Sequence, residues 1–183
     1  MLNETAQGVY TIAATPFLPD GALDEASIDS MTDFYLERGA TGLTILGIMG
    51  EAGKLSAGES ARVIEKVCAR STVPVGVGVS APGFAAIEAL SKVAMDKGAA
   101  GVMVAPPGNL RTDAQILNYY RTISERLGDI PWVLQDVPLV TGVQIDTSVL
   151  LQIFADCPTC VMLKHEDWPG LEKISALRAA SDK

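Results

Sequence analysis

The chain has 183 residues, 48% hydrophobic and 20% charged, with a formal net charge of −8. Such a composition can bury a substantial core and excludes a disordered chain. The acidic balance argues against a nucleic-acid partner, which needs a basic patch, and no apolar run approaches the length of a membrane span.

Short apolar runs recur along the chain: GVYTIAAT (8–15), GLTILG (42–47), VPVGVGVS (73–80), GVMVAP (101–106), IPWVLQDVP (130–138) and TCVMLK (159–164). Each is nearly continuous in apolar character and rich in Val, Ile and Leu, as strands buried on both faces are. Helical patterns lie between them. Residues 25–38 carry Ile28, Met31, Phe34, Tyr35 and Leu36 and end at Arg38-Gly39. Residues 57–70, 84–97 and 113–127 follow, the last with Thr112 as its cap, and residues 147–155 and 170–181 complete the set. The runs begin roughly 30 residues apart, the length of a βα unit. Six units in a row predict one α/β domain over 1–183 with an all-parallel sheet. An open doubly wound sheet and a (β/α)8 barrel both fit, although a barrel normally needs about 250 residues.

Cys157 and Cys160 form the spacing C-P-T-C, with Cys68 elsewhere. A zinc site is not expected, since no second CxxC exists and His165 is the only histidine. A reduced, cytoplasmic setting is the default for such cysteines. The start MLNETAQG has no signal-peptide character.

In either parallel architecture, functional groups gather where strands end and helices begin. Those positions hold Thr15, then Gly47-Ile48-Met49-Gly50-Glu51, Ser80, Pro106-Pro107-Gly108, Gln135-Asp136 and Lys164. Of seven lysines, Lys66, Lys92, Lys97 and Lys173 fall on helices with a solvent face, Lys54 falls in a loop and Lys183 is terminal. Only Lys164 ends a core strand. A lysine there is partly desolvated and can act as a nucleophile, forming a Schiff base with a carbonyl compound. A salt bridge to Glu166 or Asp136 fits the position equally well. The turn GIMGE (47–51) can present backbone N–H groups to a carboxylate, or it is a plain tight turn. His165 follows Lys164 directly, so in a strand the two side chains point to opposite faces.

At these residues the chain resembles the N-acetylneuraminate lyase and dihydrodipicolinate synthase superfamily of Schiff-base-forming lyases. GVYTIAATPF matches the family's opening strand. GIMGE matches a segment usually written GTTGE, and QDVPLVTG matches one usually written YNVPxRTG. VMLKHE matches the strand carrying the Schiff-base lysine. The resemblance implies a (β/α)8 TIM barrel of which the first six βα units are present, truncated after strand six and its helix, and a homotetramer. It implies Lys164 as the catalytic amine with Gln135 in the place of the family's proton-relaying tyrosine. It also implies Gly47, Ile48, Met49, Gly50 and Asp136 as substrate-binding residues, with no cofactor and no metal. Ile48 and Met49 replace two threonines, Val140 replaces an arginine, and Pro107 and Gly108 replace a tyrosine pair. A glutamine has no titratable proton to relay, which leaves Asp136, Glu51, His165 and ordered water as candidate acid-base groups.

These departures argue against a dihydrodipicolinate synthase proper. They favour a lyase of pyruvate or a 2-oxo-3-deoxy sugar acid, working by aldol cleavage or dehydration. The rival expectation is a non-catalytic relative that binds or senses 2-oxo acids. Six strands alone cannot close a barrel, so the 183 residues by themselves are expected to be unstable or inactive.

Overall fold

The computed structural model describes residues 1–180. Six strands alternate with helices along the chain: β1 (Tyr10–Ile12), β2 (Gly42–Ile45), β3 (Val75–Gly78), β4 (Gly101–Val104), β5 (Trp132–Asp136) and β6 (Cys160–His165). All neighbours pair in parallel, in the order β1-β2-β3-β4-β5-β6. Sequential parallel order with a helix after each strand is the topology of a (β/α) barrel wall. Among the described residues β1 pairs only with β2 and β6 only with β5, so the wall is an open arc. Every residue of β1 and β6 is half-buried, whereas β2, β3 and β4 are wholly buried.

The helices are α1 (Glu25–Glu37), α2 (Ala57–Arg70), α3 (Phe84–Asp96), α4 (Asp113–Leu127), a single turn α5 (Pro138–Thr141), α6 (Thr147–Asp156) and α7 (Gly170–Ala180). Their starts follow from local chemistry. Asp24 accepts from the Ser27 N–H at α1, and reciprocal capping boxes open α2 (Ser56 with Glu59) and α4 (Thr112 with Gln115). Residue 181, expected at the end of the last helix, and Lys183 lie outside the described residues.

The strand period of two divides the sheet into two faces. Leu43, Ile45, Val77, Val102, Val104 and Leu134 face outward and are buried against Ile28, Ile64, Ile87, Tyr120 and Leu150 of the helices. The inner face is lean. Register places Thr44, Gly76 and Gly101 across one level and Gly78, Met103, Val133 and Met162 across the next. At Gly78 a Cβ would stand 2.1 Å from the Leu46 carbonyl oxygen, so only glycine lets β3 lie this close to the turn after β2.

Two local expectations differ from the structure. Phe34 is half exposed, because α1 turns it outward beneath the Arg38 guanidinium, 5.2 Å from the ring centroid. The stretch after β5 forms the extra turn α5, opened by Pro138 at its first position and closed by Gly142 in a left-handed conformation. The cysteines are free thiols. Burial pushes the Cys68 thiol up to about 11 and raises Cys160 further still, which suits packing rather than thiolate chemistry. No helix is long and apolar enough to cross a membrane among the described residues.

Candidate active site

Lys164 lies on the inner face of β6, next to its last residue, in register with Gln135 on β5. Parallel partners share a face, so both side chains turn to the inner rim. Lys164 keeps 26% of its side chain exposed and makes an ion pair with Glu166, Nζ to Oε1 3.3 Å. Gln135 is buried, and its Nε2 donates to the same Oε1 of Glu166 at 2.7 Å. The Glu166 N–H donates to the Asp136 carbonyl at 2.7 Å and holds the chain beyond β6 against β5. One carboxylate thus links the amine and the amide. Sequence reasoning named Glu166 only as a salt-bridge partner. The signal was the spacing Lys-x-Glu, since residues two apart in an extended chain share a face.

The GIMGE turn shapes a neighbouring cleft of about 440 Å³, a size suited to small ligands. Gly47, Ile48 and Glu51 line one side, Gln135, Val140 and Thr141 another. The backbone leaves β2 through Leu46 and re-enters at Glu51, both in the left-handed region at φ 54° and 53°. That geometry turns the intervening amides, and neither the Ile48 nor the Met49 N–H finds a protein acceptor among the described residues. Their side chains point out to solvent. Gly50 is wedged against Ala13 and Leu46, and its carbonyl accepts from the buried Thr15 hydroxyl at 2.6 Å, so it braces the turn. Glu51 gives its carboxylate to Lys54 at 2.5 Å.

Asp136 does not join this group. As the next residue after Gln135 it turns to the outer face, where it is fully buried beneath α7. Its Oδ2 meets His165 Nδ1 and Lys173 Nζ, each at 2.9 Å. His165 faces outward with it, its Nε2 packed against Gly170. The expectation of Asp136 as a substrate contact, and of Asp136 or His165 as an acid-base group at the rim, gives way to strand alternation. Lys173 is a second correction. It is 12% exposed rather than solvated, held by Asp136 and Asp167. Burial disfavours its charge, but hydrogen bonds to Asp167 and Asp136 outweigh that and hold it above its ordinary value. Burial likewise works against the Asp167 carboxylate, while Lys173 and the Trp168 N–H together keep it below its ordinary value.

The Dihydrodipicolinate synthetase family matches residues 5–175 of the chain. A 4-hydroxy-tetrahydrodipicolinate synthase of Methanothrix thermoacetophila is 32% identical over 97% of this chain and 60% of its own length. The crystal structure of dihydrodipicolinate synthase from Rhodopseudomonas palustris superposes with a TM-score of 0.94 at 54% identity, covering 97% of this chain and 60% of that one. A second structure, the chloride-inhibited dihydrodipicolinate synthase from Acinetobacter baumannii complexed with pyruvate, superposes with a TM-score of 0.85 at 29% identity, covering 94% of this chain and 60% of that one. The chain therefore spans about 60% of the length of these relatives. Its sheet is the first six βα units of the TIM barrel they share. The expectation that argued against synthase chemistry finds no support here, because these relatives carry that name.

Proposed function

The chain belongs to the dihydrodipicolinate synthetase family, and from that premise we propose that it is a lyase that forms a Schiff base with pyruvate or a related 2-oxo acid. The observation that carries this reading is Lys164. Among the described residues it is the one lysine at the end of a sheet strand, it faces the inner rim, and it lies beside a small-ligand cleft across Gln135. Pyruvate is the molecule bound in the Acinetobacter baumannii relative, which supports a 2-oxo acid as the substrate class.

The amine attacks the keto carbon and water leaves, giving a protonated imine. That imine is an electron sink for making or breaking the adjacent carbon–carbon bond, or for loss of water. The free Ile48 and Met49 N–H groups hold the carboxylate, which they can do without the side-chain hydroxyls absent here. Gln135 orients the substrate through its amide. A homotetramer is carried forward as part of the proposal, checked by light scattering.

The decisive experiment is borohydride reduction in the presence of pyruvate, read by intact-protein and peptide mass spectrometry. One adduct on Lys164 is expected, and none in Lys164→Ala. An adduct that survives that substitution, or no adduct on a parent protein that shows a cooperative thermal transition, would sink the proposal.

A further inference from the structure

Resting on the Schiff-base reading, we propose that Glu166 is the catalytic proton-transfer residue of this site, the group that moves protons between Lys164 and the substrate. The chain has four tyrosines, and none is placed for that work. Tyr10 packs over Gly42 where β1 begins, Tyr35 lies on α1, and Tyr119 and Tyr120 are buried on α4. Asp136 and His165 are committed to each other on the outer face. Glu51 is engaged by Lys54. Among the described residues Glu166 is the one ionisable group paired with the reacting nitrogen, at 3.3 Å.

Its setting suits the role. The Gln135 amide, 2.7 Å away, fixes the position of Glu166 Oε1 and has no titratable proton to compete for the transfer. The ammonium and the carboxylate stand 3.3 Å apart as an ion pair, so a small side-chain rotation brings them into line for proton transfer. Lys164 keeps 26% of its side chain exposed, and a 2-oxo acid seated beside it displaces the water that favours the charged pair, so the proton can cross to the carboxylate and free the amine.

The steps balance. Lys164 as ammonium passes one proton to Glu166, and the neutral amine forms its bond to the keto carbon while Glu166 returns that proton to the carbonyl oxygen. A second nitrogen proton follows the same route to the resulting hydroxyl, which leaves as water. Lys164 then carries a protonated imine, and Glu166 is again a carboxylate. It next takes a proton from the carbon beside the imine and yields the nucleophilic enamine. No oxidant, reductant or metal enters.

Two readouts test the assignment on the chain. Rapid-quench borohydride trapping reads imine formation, and exchange of the pyruvate methyl protons in deuterated water, followed by NMR, reads enamine formation. Glu166→Gln is expected to slow both by about 10²-fold or more, with the final adduct mass unchanged and with pyruvate still shifting the melting temperature. Glu166→Asp, which keeps the carboxylate, is expected to recover most of the exchange. A purely structural role would lower the melting temperature without a selective loss of exchange. Parental rates in Glu166→Gln overturn the assignment alone, whereas a parent chain that traps nothing overturns the Schiff-base reading and this inference with it. Should Glu166→Gln lose its thermal transition, Glu166→Asp decides: parental rates for trapping and exchange at full pyruvate response overturn the assignment only if Glu166→Ala, trapped at low temperature, matches them, and a graded loss of exchange from parent to Asp to Ala supports it.

Discussion

Gln135 and Asp136 follow one another on β5, yet one reaches the inner rim and the other lies beneath α7. Both belong to the segment QDVP, and nothing in their local sequence separates their roles. The period of two does, once the inner face is known from the Gln135–Lys164 register. Applied to Lys164 and His165, the same rule was legible in advance. Applied to Asp136, it needed the pairing. Asp136 serves Lys173 and His165 together, so removing it leaves the buried Lys173 with Asp167 alone and His165 Nδ1 without its partner. Asp136→Ala is expected to cost about 1.5–3 kcal/mol of folding stability, measured by urea unfolding. Gly78→Ala sets a methyl group 2.1 Å from the Leu46 carbonyl oxygen. It is expected to lose about 1–3 kcal/mol and to weaken pyruvate binding, because the displaced carbonyl belongs to the turn that presents Ile48 and Met49. Parallel thermal melts with and without pyruvate check both effects.

Among the elements, the helices were the most legible, because their caps are local. Thr112 announces α4 from the sequence, and the fold adds its reciprocal bonds with Gln115. Thr112→Ala is expected to cost about 1 kcal/mol, again by urea unfolding. What no local pattern displays is how α1 and α2 meet. Glu25, Asp29 and Asp33 recur every four residues along α1 and face Arg62, Lys66 and Arg70, which recur likewise along α2. Hydrogen bonds from Arg62 and Arg70 hold the Glu25 and Asp33 carboxyls below their ordinary values of 4.5 and 3.8. A carboxyl with a lowered folded value stabilises the fold above its ordinary value and loses that contribution as pH falls through the folded one. Stability is therefore expected to hold from neutral pH down to about the ordinary carboxylate range and to decline below it. The decline should shrink at high salt, which screens these exposed pairs. Thermal melts across pH at two salt concentrations check this.

At the scale of the whole molecule, the arc is deepest in its middle. β2, β3 and β4 are buried throughout, while β1 and β6 are half-buried and, among the described residues, pair on one side only. Hydrogen exchange is expected to follow that gradient, slowest in β2–β4 and faster in β1 and β6, as mass spectrometry of deuterated peptides would show. Lys164 is steadied on its β5 side by the Gln135 register and by Glu166. The sequence alone determined the six βα units, their order and the lysine at the end of the sixth run, because hydrophobic period, capping and turn chemistry act over a few residues. Only the tertiary structure decided that Glu166 bridges Lys164 and Gln135, that Asp136 turns away to His165, and that Lys173 is buried. Each of those depends on the register between β5 and β6 or on how α7 lies over them, and those contacts join residues about thirty or more positions apart.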